Sequence, residues 1–120
     1  MKLIDVYNDY KVEYKEYVII IESGIFYNVY NQDCSIIYNL LKYKIKYSNN
    51  NYLIGFPSSI IKKVTDILID NKISYIIINK DENNNYFILE KNKAKHNNYN
   101  KFEIDNYKKL KEYGKNGNRS

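Results

Sequence analysis

The chain is poor in the residues that build disulfide scaffolds, sharp turns and membrane spans. Its 120 residues include one cysteine, one proline, four glycines and no tryptophan. Because a lone cysteine cannot form an internal disulfide, Cys34 indicates a reducing compartment. The longest apolar runs, residues 17–21 and 73–78, are too short to cross a bilayer, and no apolar leader opens the chain. We therefore expect a cytoplasmic protein with no membrane partner.

The abundant residues are tyrosine, with 15 copies, and isoleucine, asparagine and lysine. All four have codons rich in A and T, so their abundance by itself indicates no function. Apolar residues make up 44% of the chain and charged residues 28%, as in ordinary globular domains. The composition therefore indicates a folded domain of common type.

The net charge of +5 is concentrated near the C-terminus. Residues 1–90 carry ten lysines against eleven acidic residues, whereas residues 91–120 carry nine basic residues against three acidic ones. We expect residues 1–90 to form a single globular domain and residues 91–120 to form a basic tail with a short helix over 104–113. Such a tail favours an acidic partner such as nucleic acid, and a solvated tail without a partner is the alternative.

The spacing of apolar residues predicts an α/β fold. β-branched and aromatic runs, together with one alternating segment, predict six strands near residues 17–21, 25–30, 44–47, 52–54, 73–78 and 86–89. Apolar residues recur at helical spacing over 36–41 and 60–68, and a weaker stripe runs through residues 3–14. The expected architecture is a mixed sheet of about six strands with two or three helices packed on it.

The residues that usually mark an enzyme are missing from the pattern. His96 is the only histidine, and no carboxylate or cysteine lies at ligand spacing from it. Cys34 follows an acidic residue near a predicted helix start, but without a nearby histidine we expect a structural thiol. Gly114-Lys115-Asn116-Gly117 has the wrong spacing for a phosphate-binding loop. We expect no catalytic residue, no metal and no cofactor. A nuclease is an alternative, although no set of acidic metal ligands is visible in the sequence.

Two short motifs and the elements between them carry the functional information. Gly24-Ile25-Phe26-Tyr27-Asn28 lies between two apolar runs, and Gly55-Phe56-Pro57 opens the second predicted helix. This order resembles the N-terminal mismatch-recognition domain of the MutS family over about residues 14–80. In that family an apolar strand is followed by Gly-Asp-Phe-Tyr-Glu, a helix, and a Gly-aromatic/aliphatic-Pro segment before a second helix and an apolar strand.

The resemblance implies DNA binding and assigns residues to it. In the family the motif's Phe wedges into the duplex and stacks on a mispaired base, while the Glu two residues later hydrogen-bonds that base. Phe26 is then the wedge, Asn28 replaces the Glu without its carboxylate, and Ile25 stands where the family has Asp. Strand alternation places Phe26 and Asn28 on one face and Tyr27 and Val29 on the other, and if Tyr27 and Val29 face the core, Phe26 points outward. A core position for Phe26 is the alternative.

Four lysines are candidate phosphate contacts beside this motif. Lys44 and Lys46 are expected on one face of a strand, and Lys62 and Lys63 near the start of the second helix. A solvated surface position is the alternative for each of them. The tail adds further positive charge that would raise affinity without sequence preference, at Lys91, Lys93, Lys95 and Lys101.

Two functions remain open at this point. The first is a DNA-binding module that recognises mismatched or distorted duplex DNA. The second is a protein-interaction or regulatory domain that kept the fold and lost DNA recognition, which the near-neutral charge of residues 1–90 favours. No segment resembles the clamp, lever or ATPase domains of the family, so we expect no ATPase activity from this chain. A separate protein partner that supplies an ATPase is an option.

Overall fold

Strands and helices alternate through residues 2–102, the part of the chain that the computed structural model describes. In chain order they are α1 Leu3–Glu13, β1 Val18–Ser23, β2 Phe26–Tyr30, α2 Gln32–Leu41, β3 Lys46–Ser48, β4 Asn51–Pro57, a 3₁₀ turn Ser58–Ile60, α3 Ile61–Asp70, β5 Tyr75–Lys80, β6 Tyr86–Asn92 and α4 Tyr99–Phe102. The six strands form one sheet, so the predicted mixed α/β architecture is confirmed. The structure adds α1 and α4 to the predicted order. The helix predicted over 104–113 lies outside the described residues.

The centre of the sheet consists of two strands that are apolar on both faces. The strand order is β3-β4-β2-β1-β5-β6, in which β1 and β5 are parallel and every other pair is antiparallel. Across the parallel pair, Ile19 lies opposite Ile76 and Ile21 opposite Ile78. Because successive side chains point to opposite faces, such strands require cover on both sides.

Helices cover the two faces unequally. On one side, which we call the three-helix face, α2, α3 and α4 pack Ile36, Leu68 and Tyr99 against a buried cluster that includes Ile20 and Val29. On the other side, which we call the single-helix face, α1 packs Val6 and Tyr7 against a smaller cluster built on β1, β5 and the end of β2. The single-helix face therefore leaves part of β2 and β4 open.

A buried ion pair ties the helices to the start of β1. Asp33 lies in the first turn of α2, is fully buried, and its carboxylate accepts four hydrogen bonds. The donors are Lys11 Nζ at 2.7 Å, Tyr7 Oη at 2.9 Å, Tyr99 Oη at 2.6 Å and the Ile19 backbone N–H at 3.0 Å. Burial, followed by the negative charge of Asp33, raises the pKa of Tyr7, so Tyr7 stays protonated and donates.

Residues 91–102, which the sequence assigned to the basic tail, are packed against the domain. Tyr99 is only 2% exposed and belongs to the buried cluster of the three-helix face. Asn97 Oδ1 accepts a hydrogen bond from the Ser74 N–H at 3.1 Å, and the Asn98 N–H donates to the Lys72 carbonyl at 2.8 Å. These contacts are made by asparagines and one tyrosine, in a segment where apolar residues do not recur at a regular spacing. Neither charge nor periodicity therefore predicted them.

Candidate nucleic-acid interface

The hairpin that joins β1 to β2 ends in a rigid two-residue tip, Gly24-Ile25. Gly24 has a φ of +62°, whereas Ile25 has no positive φ, which fits the turn type with glycine at its first central position. The Ile25 carbonyl accepts a hydrogen bond from the Ser58 N–H at 2.8 Å. This bond fastens the tip to the chain that leaves β4.

Phe26 emerges from this tip on the single-helix face. It is paired with Ser23 of β1 and Pro57 of β4, and 44% of its surface is exposed. Tyr27 and Val29 are buried on the three-helix face, so the predicted alternation along β2 is confirmed. The Phe26 ring stacks on no other aromatic ring among residues 2–102. Phe26 is therefore not a core residue.

Asn28 lies on the same face as Phe26, opposite Gly55 of β4. A Cβ atom at Gly55 would lie 3.0 Å from Asn28 Oδ1, so glycine leaves the space that the amide fills. Asn28 is half-buried, and Nδ2 donates to Tyr30 Oη at 3.3 Å, its only side-chain hydrogen bond within the described part of the chain. The two sequence motifs thus meet across β2 and β4, with Phe26 against Pro57 and Asn28 against Gly55.

Lys46 shares the face of Phe26 and Asn28. It lies opposite Leu53, which in turn lies opposite Tyr30, so all three side chains point to the single-helix face. Lys46 is two strand spacings across the sheet and four residues along it from Phe26, so their Cα atoms are about 16 Å apart by ordinary sheet geometry. Lys46 is exposed and stands at the open end of this face.

Lys44 is exposed but lies outside the strand, because β3 begins only at Lys46. The prediction that Lys44 and Lys46 share a strand is therefore wrong. Lys42, the residue that follows the last turn of α2, takes a left-handed φ of 58°. Residues 43–45 then connect the helix to the sheet. Ile45 is buried in that connection, which leaves Lys44 at the surface.

Lys62 and Lys63 lie on α3, which packs on the three-helix face, so the structure does not bring them onto the surface of Phe26. Both are exposed, and Lys62 Nζ lies 3.3 Å from Asp66 Oδ2 on the same helix. Their helix follows β4 after one 3₁₀ turn, and β4 itself ends at the pair of Pro57 with Phe26. The two lysines are therefore near the same edge of the sheet but on its opposite face.

Sequence reasoning missed a lysine that is better placed. Lys80 ends β5 two residues beyond the pair of Ile78 with Ile21, which puts it level with Ser23 and Phe26 on the single-helix face. Two strand spacings separate its Cα from that of Phe26, or roughly 10 Å. Its ammonium forms no ion pair with residues 2–102. The predicted strand stopped at Ile78. Extending its alternation by two residues would have placed Lys80 on the same face as Ile78.

The remaining candidates for chemistry are inert or isolated. Cys34 is fully buried, its thiol donates to the Val29 carbonyl at 3.4 Å, and burial raises its pKa well above the usual range. Within residues 2–102, no three His, Cys, Asp or Glu side chains cluster as metal ligands would. Over the same range, no helix has the length and apolar character needed to cross a bilayer.

Comparison with known protein families identifies one family model that matches the chain. The sequence model of MutS domain I matches residues 2–111, most of the chain, including every strand of the sheet. No curated protein matches the chain. MutS domain I is the mismatch-recognition domain of its family and is a DNA-binding domain rather than a catalytic one. From the sheet, the paired motifs and the family match together, the chain belongs to the MutS domain I family.

Proposed function

We propose that this domain binds mismatched or otherwise distorted duplex DNA and inserts Phe26 into it as an aromatic wedge. The observation that carries the proposal is the exposed Phe26 ring, 44% accessible, at the end of a strand that is held on both sides. Packing does not account for an aromatic side chain in that position, whereas contact with a base would. Membership of the MutS domain I family supports a DNA partner.

The energetics of insertion favour a damaged or mispaired site. Separating two stacked base pairs costs a few kcal/mol, and a mismatch or an unpaired nucleotide lowers that cost. Stacking of the Phe26 ring on a base returns about 1–3 kcal/mol. Asn28, next on the same face, offers a carboxamide that donates and accepts hydrogen bonds, so it pairs with a base edge without the carboxylate of the family motif.

Positive charge around Phe26 supplies the contacts to phosphate. Lys46 and Lys80 flank it on the single-helix face, and Lys44 adds charge before β3. Lys62 and Lys63 reach DNA only where the duplex also passes over the edge of the sheet. We assign recognition alone to this chain and ATP hydrolysis to a separate polypeptide or domain, because these 120 residues contain no phosphate-binding loop.

Replacement of Phe26 with alanine tests the wedge. We expect Phe26→Ala to weaken binding to a mismatched duplex by about 5- to 150-fold, the loss of one base–aromatic stack, and to leave binding to a matched duplex nearly unchanged. Fluorescence anisotropy at low salt measures both affinities. Phe87→Ala is the matched control, since Phe87 is 41% exposed on the edge strand β6 and, opposite Asn79, lies on the three-helix face. Equal affinities of Phe26→Ala and the unaltered protein for mismatched DNA would refute the wedge.

Lysine substitutions locate the DNA on one face of the sheet. We expect Lys46→Ala and Lys80→Ala each to lower the slope of log affinity against log salt by about 0.9, the value for one lost phosphate contact. Lys62→Ala and Lys63→Ala, on the opposite face, serve as the comparison and are expected to change the slope less. Binding titrations over a salt series measure each slope. Larger changes at Lys62 and Lys63 than at Lys46 and Lys80 would place the duplex on the three-helix face.

The second candidate function is protein interaction or regulation with DNA recognition lost. The observation that favours it is the charge of residues 1–90, with ten lysines against eleven acidic residues. A folded protein that binds neither matched nor mismatched duplex at low salt would favour this function over the first.

A further inference from the structure

Ile25 is the most exposed large apolar side chain of the described chain. It is 75% exposed at the hairpin tip and belongs to neither buried cluster. Turns of this kind usually carry glycine, asparagine, aspartate or serine, because polar side chains there remain solvated. Ile25 therefore adds nothing to folding through burial, and together with the adjacent Phe26 it forms a continuous apolar point that we call the Ile25–Phe26 tip.

The backbone of the Ile25–Phe26 tip is held in place before any ligand arrives. Ser58 donates its N–H to the Ile25 carbonyl at 2.8 Å, and Phe26 is paired with strands on both of its sides. A contact made by a preformed segment avoids the entropy cost of ordering that segment on binding. The tip is thus built to present two apolar side chains rather than to adapt to a surface.

The acidic residue nearest the tip along the hairpin, Glu22, is turned away from it. Glu22 alternates onto the three-helix face with Ile20. Its Oε1 accepts a hydrogen bond from the Lys80 N–H at 3.0 Å, while the Lys80 side chain lies on the single-helix face. On that face Lys80 lines a pocket together with Asp9 of α1, whereas the hairpin itself places no acidic side chain beside Phe26.

We propose that Ile25 is a second DNA-contacting side chain that enters the opened base step beside Phe26. The inference rests on the proposed function. An isoleucine side chain has no donor or acceptor, so it adds apolar contact without reading a base edge. Its contribution is therefore expected wherever the base step opens, in bulged and in mispaired DNA alike.

Two substitutions at Ile25 and two matched controls test this inference. Val12, on α1, is 74% exposed and lines a pocket with Tyr17 and Ser74 at the start of β1, the end of that strand opposite the hairpin, so Val12→Ala and Val12→Asp repeat the same chemistry elsewhere. Anisotropy is measured with a bulged duplex, a panel of single mispairs and a matched duplex at one salt concentration. We expect Ile25→Ala to weaken binding to bulged and mispaired DNA by about 3- to 10-fold through lost apolar contact. Ile25→Asp is expected to weaken it by more than about 10-fold, because a carboxylate then faces phosphate.

The outcomes separate Ile25 from the wedge itself. Weakening by Ile25→Ala, with both Val12 variants within about twofold of the unaltered protein, supports the inference, since surface changes elsewhere leave binding intact. An Ile25→Ala variant with unaltered affinity, beside a Phe26→Ala variant that binds poorly, overturns the role of Ile25 and leaves the proposed function standing. Loss only with Ile25→Asp also overturns it, because repulsion by the new charge is then sufficient. Unaltered affinity in both alanine variants overturns the proposed function as well.

Discussion

Replacing Asp33 with asparagine is expected to lower the free energy of unfolding by about 3–5 kcal/mol, a large share of the total for a domain of this size. The fully buried carboxylate accepts hydrogen bonds from Lys11, Tyr7, Tyr99 and the Ile19 backbone. An amide lacks the charge that balances Lys11 and brings N–H donors toward groups that are themselves donors. The variant therefore leaves a buried ammonium group without a counter-ion.

Lys11→Met is expected to cost less than Asp33→Asn. After this substitution the Asp33 carboxylate keeps three hydrogen bonds, two from tyrosine hydroxyls and one from a backbone N–H. Hydrogen bonds to a charged acceptor contribute about 1.5–3 kcal/mol each, so the remaining ones stabilise the charge that Lys11 leaves behind. A larger loss for Asp33→Asn than for Lys11→Met would indicate that the carboxylate organises the whole cluster. Equal losses would indicate a simple pair of charges.

Equilibrium unfolding in urea, followed by circular dichroism, measures these differences. Asp66→Asn is the matched control, because it removes the same group from the exposed ion pair with Lys62 on α3. Exposed pairs of this spacing contribute about 0.3–0.5 kcal/mol, so the control is expected to unfold close to the unaltered protein. An Asp33→Asn variant as stable as Asp66→Asn would contradict the role assigned to the buried cluster.

Tyr99→Ala is expected to cost about 3–5 kcal/mol, and Tyr99→Phe about 1.5–3 kcal/mol. The ring of Tyr99 is buried among the residues of the three-helix face, and its hydroxyl donates to Asp33 Oδ1 at 2.6 Å. Alanine leaves a cavity and removes the hydroxyl, whereas phenylalanine keeps the packing and removes only the hydroxyl, which also accepts a hydrogen bond from Lys11 Nζ at 3.0 Å. The same urea titration measures both losses.

A tyrosine that is already at the surface provides the control for Tyr99. Tyr47 is 38% exposed on β3, and its hydroxyl reaches Asn50 Oδ1 at 3.4 Å, so Tyr47→Phe is expected to be close to neutral. If residues 91–102 were instead a free tail, Tyr99→Ala would also be close to neutral, and that result would contradict the packing of Tyr99. The structure leads us to expect that a chain cut after residue 90 is at least as unstable as Tyr99→Ala, since it loses Tyr99 together with Asn97 and Asn98.

Local pattern was sufficient for those parts of the fold that depend on neighbours in the sequence. β-branched runs marked β1 and β5, and apolar spacing marked α2 and α3. Alternation along β2 was enough to place Phe26 and Asn28 on one face, because successive strand residues point in opposite directions whatever lies beside them. Helix α4, by contrast, has only four residues and no period that a sequence window detects.

Which residues lie near Phe26 depended on contacts between segments that are distant in the sequence. Lys62 and Lys63 are close to Pro57 in the chain but lie on the face opposite Phe26, because α3 packs its apolar side under the sheet. Lys46 and Lys80 reach the face of Phe26 through the register of β3 with β4 and of β5 with β1. Registers of this kind follow from the packing of the whole sheet, so no single segment predicts them.

By itself, the sequence determined that this chain is a mixed α/β domain of MutS domain I type with Phe26 and Asn28 on one face of a strand, because periodicity and two short motifs are local properties. Only the tertiary structure decided that Phe26 is exposed, that the two motifs meet, that Lys46 and Lys80 share the face of Phe26, and that Tyr99 belongs to the core. The physical reason is that strand register and helix packing bring together residues from separate parts of the chain. Asp33 is the clearest case, since its four donors come from three other elements of the fold.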